Sequence, residues 1–142
     1  NINEIMQQML DTLEFEIAKS KVIVEVSDLP ACRGDELQIN QLFSNLIGNA
    51  LKFLDPERQG KITISGKNKK GISRYVVEDN GIGISKKYQG KVFELFQKLD
   101  PGKPGIGLGM NIVKQIVEKH NGEIKLESEL GKGTKCIIFI PD

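Results

Sequence analysis

No stretch of this 142-residue sequence approaches the roughly 20 consecutive apolar residues that a bilayer span requires, and its start carries no secretory-type hydrophobic region. The expectation is a soluble, cytoplasmic chain without direct membrane contact, whose parent protein is free to carry a membrane anchor elsewhere. Net charge is almost missing as well, because 20 basic against 19 acidic side chains leave only +1. That balance gives no electrostatic reason to expect a nucleic-acid backbone or an anionic membrane as a partner, so any anion must be bound locally. Cysteine is scarce. Cys32 and Cys136 lie far apart, without Cys-x-x-Cys spacing and with a single histidine for company, which argues against a disulfide framework or a metal centre built on them. They read as small reduced hydrophobes. Internal repeats and low-complexity segments are absent too.

What is present fits one domain over residues 1–142, since 39% apolar and 27% charged residues supply one sizeable core under a solvated surface. The chain opens on Asn1 rather than Met and reads as a piece of something longer. Apolar positions at helical spacing predict an amphipathic helix from Asn1 to Lys19, packed into the core more readily than against a dimerisation stalk. Alternating valines predict a strand from Lys21 to Ser27. Asp35 caps a helix running to about Leu54, stopped by Asp55-Pro56. Two strands, Lys61 to Gly66 and Ile72 to Asp79, flank a turn at Asn68-Lys69-Lys70-Gly71. Ser85 to Phe96 is weakly helical, Asp100 to Pro104 is a loop, and Gly107 to His120 is a helix closed by Asn121-Gly122. A last pair of strands, Glu123 to Glu129 and Thr134 to Ile140, surrounds Gly131-Lys132-Gly133. Paired strands with long helices between them predict an α+β two-layer sandwich, a mixed and mostly antiparallel sheet covered on one face by helices.

Three constellations ask for chemistry. On the helix after Asp35, Gln38, Gln41, Asn45, Asn49 and Lys52 share a stripe about 80° wide, opposite an apolar face. A solvated stripe is one reading. Asparagine is a mediocre helix former, however, and a pair at i and i+4 offers neutral amide oxygens to a hard cation such as magnesium, with Lys52 one turn on to face phosphate. The second is Asp79-Asn80-Gly81-Ile82-Gly83-Ile84 at a strand end. Read alone, Asn-Gly after a strand signals a tight turn, and that is the first explanation. A carboxylate that accepts from an exocyclic amine, beside glycines that let a flat ring approach, suits adenine. The third is Gly105-Ile106-Gly107-Leu108-Gly109 at a helix start, which is either a hinge or a phosphate site made of free peptide N–H groups. Glycine makes up 15 residues, and seven of them fall between Gly81 and Gly109. No Gly-Lys pair is followed by Ser or Thr, so a P-loop is excluded, and Met110 breaks a dinucleotide fingerprint.

Taken in order, these residues resemble the catalytic, ATP-binding domain of sensor histidine kinases, within the superfamily shared with DNA gyrase, Hsp90 and mismatch-repair ATPases. The run from Gln41 to Phe53 is similar to the N box, Asp79 to Ile84 to the first glycine box, Phe93 to Phe96 to the F box, and Gly105 to Gly109 to the second glycine box. The resemblance implies the Bergerat fold, a left-handed βαβ sandwich holding ATP and Mg2+ between helices and sheet. It implies that Asn49 holds the metal with Asn45 beside it, that Lys52 faces phosphate, and that Phe53 lies against the purine. Asp79 would receive the adenine amine, Gly81 and Gly83 would line the ring, and Gly105, Ile106, Gly107, Leu108 and Gly109 would wrap the phosphates. Thr134 would stand near adenine. Lys98 stands where the family often has arginine, which keeps the charge without the bidentate fork. The segment from Gln97 to Pro104 would be a lid that nucleotide partly orders.

The implied activity is transfer of the γ-phosphoryl group of ATP to a histidine, in two-component signalling. That histidine would lie on a separate dimerisation segment of a homodimeric parent, with a response-regulator receiver downstream. His120, at a helix end, reads as structural, and no catalytic residue of this chain's own is expected. The alternatives are a gyrase-like ATPase, an anti-sigma-factor serine kinase, and a regulatory module that binds nucleotide without transfer. Asn45 stands where ATPases of the superfamily place glutamate, and an amide is no base for water.

Overall fold

A computed structural model describes residues 2–32, 34–86 and 106–141. The predicted first helix is divided into α1 (Ile2–Thr12) and α2 (Glu14–Ser20). Leu13 adopts φ −92° and ψ 5°, outside the helical well, although its N–H still reaches the Met9 carbonyl at 3.0 Å. The division separates two environments. Ile2, Ile5, Met6 and Met9 of α1 enter the core, whereas α2 has no fully buried residue, rests only Ile17 against the core and leaves Phe15 77% exposed. No glycine or proline marks the break, so the apolar spacing reads straight through it. Asn3 ties α1 down, its amide donating to the Leu29 carbonyl and accepting the Leu29 N–H, both at 3.1 Å.

Helix α3 (Glu36–Lys52) starts as predicted, with the Asp35 carboxylate accepting the Gln38 N–H at 3.0 Å. It ends at Lys52, two residues before the predicted Leu54, with Phe53 as the C-cap. Its apolar face, Ile39, Leu42, Phe43, Leu46, Ile47, Ala50 and Leu51, is buried along its whole length. Phe43 meets Tyr75 of the sheet edge-on at 5.5 Å between centroids, and the Tyr75 hydroxyl donates to the Pro30 carbonyl at 2.6 Å. Helix α4 (Ile106–Lys119) packs beside α3 and buries Met110, Val113, Ile116 and Val117.

The strands are β1 (Ile23–Val26), β2 (Lys61–Lys69), β3 (Ile72–Asp79), β4 (Glu123–Glu129) and β5 (Gly133–Pro141). They form one sheet in the order β1-β2-β3-β5-β4, with only the β1–β2 pair parallel. The α+β sandwich with a mixed sheet is therefore as expected. The predicted four-residue turn after Gly66 tightens to two residues. β2 and β3 stay paired to Lys69 opposite Ile72, and Lys70 and Gly71 take the positive φ values of 53° and 81° that such a hairpin needs. β1 is shorter than predicted and forms an edge strand. Ile62, Ile64, Tyr75, Val77, Cys136, Ile138 and Ile140 form the sheet's share of the core under the helices. β3 and β5 run antiparallel so that Asp79, the last residue of one, stands opposite Thr134, near the start of the other.

Candidate functional site

The C-terminal half of α3 makes one wall of a pocket. Leu46, Asn49, Ala50 and Phe53 line it, joined by Val77 and Asp79 from β3, Gly83 and Ile84 from the following loop, Met110 from α4, and Leu126, Thr134 and Cys136 from β4 and β5. Helical periodicity explains the wall, because residues three and four apart share a face. Asn45 lies one turn before Asn49 and is not among the lining residues. Both asparagines carry a buried side-chain NH2 with no hydrogen-bond partner among the described residues. Buried polar groups are normally paired, and leaving one without a partner costs about 1–3 kcal/mol. Two such amides on successive turns fit a site for the polar atoms of a ligand. Rotating the amide end for end aims an oxygen where the NH2 stands, so the donor set suits a hard cation as well as phosphate or water. Lys52 is exposed at the last turn of α3, beyond the lining residues.

Asp79 ends β3 inside the pocket. Burial pushes its carboxyl up to about 6, opposed by hydrogen bonds from the peptide N–H groups of Gly81, at 2.9 Å, and Thr134. A carboxylate so desolvated gains from each hydrogen bond it accepts. Cys136 lies beside it on the neighbouring strand, and burial, then the Asp79 charge, pushes that thiol up to about 12. It is inert packing. Thr134 bonds through its hydroxyl to Ser128 at 2.8 Å, and the Ser128 hydroxyl also donates to the Gly133 carbonyl and accepts the Ile84 N–H. Ser128 thereby fastens the loop after β3 to the β4–β5 hairpin.

The glycines after Asp79 answer to this fastening. A Cβ on Gly81 would stand 2.1 Å from the Phe53 carbonyl oxygen. One on Gly83 would stand 2.1 Å from the Glu129 carbonyl oxygen, and Gly83 also has φ +75°. Gly83 lines the pocket and Gly81 does not. Gly81 lets the loop lie against the end of α3, where the Ile82 N–H donates to the Phe53 carbonyl at 2.9 Å.

Ile106, Gly107, Leu108 and Gly109 form the first turn of α4, where a helix leaves peptide N–H groups without intrahelical acceptors. Gly105, Lys98, the segment from Phe93 to Phe96, all but Ser85 and Lys86 of the expected helix from Ser85 to Phe96, and the expected lid lie outside the described residues. The structure thus brings together Asn49, Phe53, Asp79, Gly83 and Thr134 on one pocket, with Asn45 beside it. Sequence reading missed Leu46, Ala50, Val77, Ile84, Met110, Leu126 and Cys136. Leu46, Ala50 and Ile84 fall inside the motifs as apolar positions and Met110 adjoins one, while Val77, Leu126 and Cys136 sit in ordinary strand alternation. Among the described residues no trio of His, Cys, Asp or Glu gathers to hold a metal, and no helix is long and apolar enough to cross a membrane.

A family model described as histidine kinase-, DNA gyrase B-, and HSP90-like ATPase matches residues 34–142. Phytochrome-like protein Cph1 of a Synechocystis species is 37% identical over 99% of this chain, and the methanogenesis regulatory histidine kinase FilI of Methanothrix harundinacea is 33% identical over 98%. The chain spans only 19% and 16% of those two proteins. Among solved structures, the catalytic domain of histidine kinase ThkA, in a nucleotide-free form, superposes with a TM-score of 0.83 at 27% identity, covering 99% of this chain and 94% of that one. Full-length ShkA in complex with AMPPNP gives a TM-score of 0.84 at 26% identity, over 99% of this chain and 30% of that one.

Proposed function

The chain belongs to the histidine kinase-, DNA gyrase B- and HSP90-like ATPase family, and from that premise we propose that its pocket binds Mg·ATP and presents the γ-phosphoryl group to a histidine on a separate dimerisation segment. The observation that carries this reading is the pair of buried amide NH2 groups, Asn45 and Asn49, without partners among the described residues, on the helix that walls a pocket ending at the Asp79 carboxylate. A similar domain, in ShkA, was solved with an ATP analogue.

In this reading Asn49 holds magnesium and Asn45 supports it. Magnesium, when bound, neutralises charge on the phosphate oxygens as the phosphoryl group transfers. Asp79 accepts the adenine amine, Phe53 and Gly83 flank the ring, and Thr134 braces the strand end beside it. Lys52, Lys98 and the peptide groups from Gly105 to Gly109 attend the phosphates, while Gly81 keeps the loop seated on α3. The chain contributes positioning and charge, and the nucleophile comes from outside it. The setting is the cytoplasm, the parent acts as a dimer over residues of which 1–142 are one domain, and a response-regulator receiver takes the phosphoryl group onward. Hydrolysis alone is the weaker reading, since Asn45 provides no carboxylate to activate water.

Mixing the chain with a separately produced dimerisation and phosphoacceptor segment and γ-labelled ATP tests this. Label on histidine, stable to base and lost in acid, is the expected result. Free phosphate without labelled protein, or binding without either, overturns the transfer.

A further inference from the structure

Arg58 lies between α3 and β2, just past the run from Gln41 to Phe53 and outside every motif of the site, and its guanidinium joins three segments. Its Nε and Nη2 donate to Asp55 Oδ2 at 3.1 and 3.0 Å, and Nη2 also donates to the carbonyls of Gly81, at 3.4 Å, and Gly131. Asp55 is itself held, its Oδ1 accepting the Glu57 N–H at 2.9 Å. Those bonds and the Arg58 charge keep its carboxyl below the usual carboxylate range. Gly131 returns its N–H to the Ile82 carbonyl at 2.7 Å, and Gly81 sends its N–H to Asp79 Oδ1 at 2.9 Å. One residue therefore separates the arginine from the carboxylate at the end of the pocket. A planar fork holds its donors in one fixed geometry, which an ammonium on a flexible stem does not.

We propose that Arg58 is a positioning residue for the base-recognition end of the site. By gripping the Gly81 and Gly131 carbonyls it fixes where the Asp79 carboxylate stands, and so sets the preference for a 6-amino purine over a 6-oxo purine. This rests on the ATP reading above. A 6-amino group donates to a carboxylate, whereas a 6-oxo group turns lone pairs toward it, so discrimination depends on the carboxylate holding its place. Released from Arg58, the Gly81 peptide no longer holds the Asp79 carboxylate in one orientation, although β3 keeps its register.

The test is calorimetric affinity for Mg·ATP and Mg·ITP, measured on the unsubstituted chain, Arg58→Ala and Arg58→Lys, each checked for folding by circular dichroism. The expected result is that the ATP-over-ITP preference falls roughly tenfold in Arg58→Ala, the scale of one well-placed polar contact. Arg58→Lys recovers only part of it. If Arg58→Ala does not fold, Asp55→Asn, which removes the carboxylate that orients the guanidinium, carries the comparison. Equal weakening of both nucleotides, or no change in either, overturns the inference while leaving the ATP reading intact. Absence of binding by the unsubstituted chain overturns the ATP reading itself.

Discussion

His120 accepts the Asp35 peptide N–H at Nε2, at 3.2 Å, while its Nδ1 meets the Ile116 carbonyl at 2.8 Å. The end of α4 is thereby bonded to the cap of α3, across 85 residues of chain. The pattern requires the neutral ring with its proton on Nδ1. Both ring nitrogens are engaged, and Gly34 lies so close that a Cβ there would meet the ring at 2.6 Å. A histidine occupied in this way is a structural joint. His120→Ala is expected to cost about 1–2 kcal/mol of stability, seen as a lower Tm. Mg·ATP affinity at a temperature where the variant is folded should stay within about twofold, an allowance below the effect of one hydrogen bond.

Replacing Asn49 by Ala should separate stability from function. Because the amide NH2 is buried without a partner among the described residues, its removal is expected to leave the nucleotide-free chain as stable or more stable, by up to about 1 kcal/mol. The rise in Tm on adding Mg·ATP should largely vanish, a loss of roughly 10- to 100-fold in affinity if the amide holds the metal. A calorimetric scan with and without Mg·ATP reads both.

Asp79 sets a pH dependence whose sign follows from its raised carboxyl, about 6 in the fold against 3.8 as reference. The folded state binds the proton more tightly than the unfolded one, so this group's contribution is fully present below about 4 and is lost as pH rises through about 6. Asp79→Asn mimics the neutral acid and keeps an oxygen for the Gly81 N–H. It should match the parent near pH 4 and exceed it by on the order of 2 kcal/mol at pH 7.5, in urea titrations at both pH values. Nucleotide affinity should run the other way, falling in the variant at pH 7.5.

Two glycine substitutions distinguish strain from collision. Gly71→Ala places a Cβ in open space but at φ +81°, and should cost about 1–2 kcal/mol. Gly81→Ala drives its Cβ to 2.1 Å from the Phe53 carbonyl oxygen, and should cost more than Gly71→Ala and weaken Mg·ATP binding, because the loop must leave α3. Urea midpoints and nucleotide affinities of the two variants, side by side, check the order.

Local periodicity determined a large part of this molecule. The Asp35 cap, the apolar face from Ile39 to Leu51 and the polar stripe holding Asn45 and Asn49 are all set by spacings of three and four residues along one helix. Asp79 at a strand end was legible for the same reason, since alternation shows where the strand stops. Tertiary structure alone decided the rest. Nothing local marks the break at Leu13, which separates α1, buried in the core, from α2, which only rests Ile17 against it. The glycines at 81 and 83 look made for a ring, yet the backbone of Phe53 and Glu129 demands them, because those carbonyls arrive from remote parts of the chain. Arg58 is one charge among many in sequence. It joins the site only because folding carries the Gly81 and Gly131 carbonyls to within reach of one guanidinium, and a pattern along the chain holds no record of which distant carbonyls will converge.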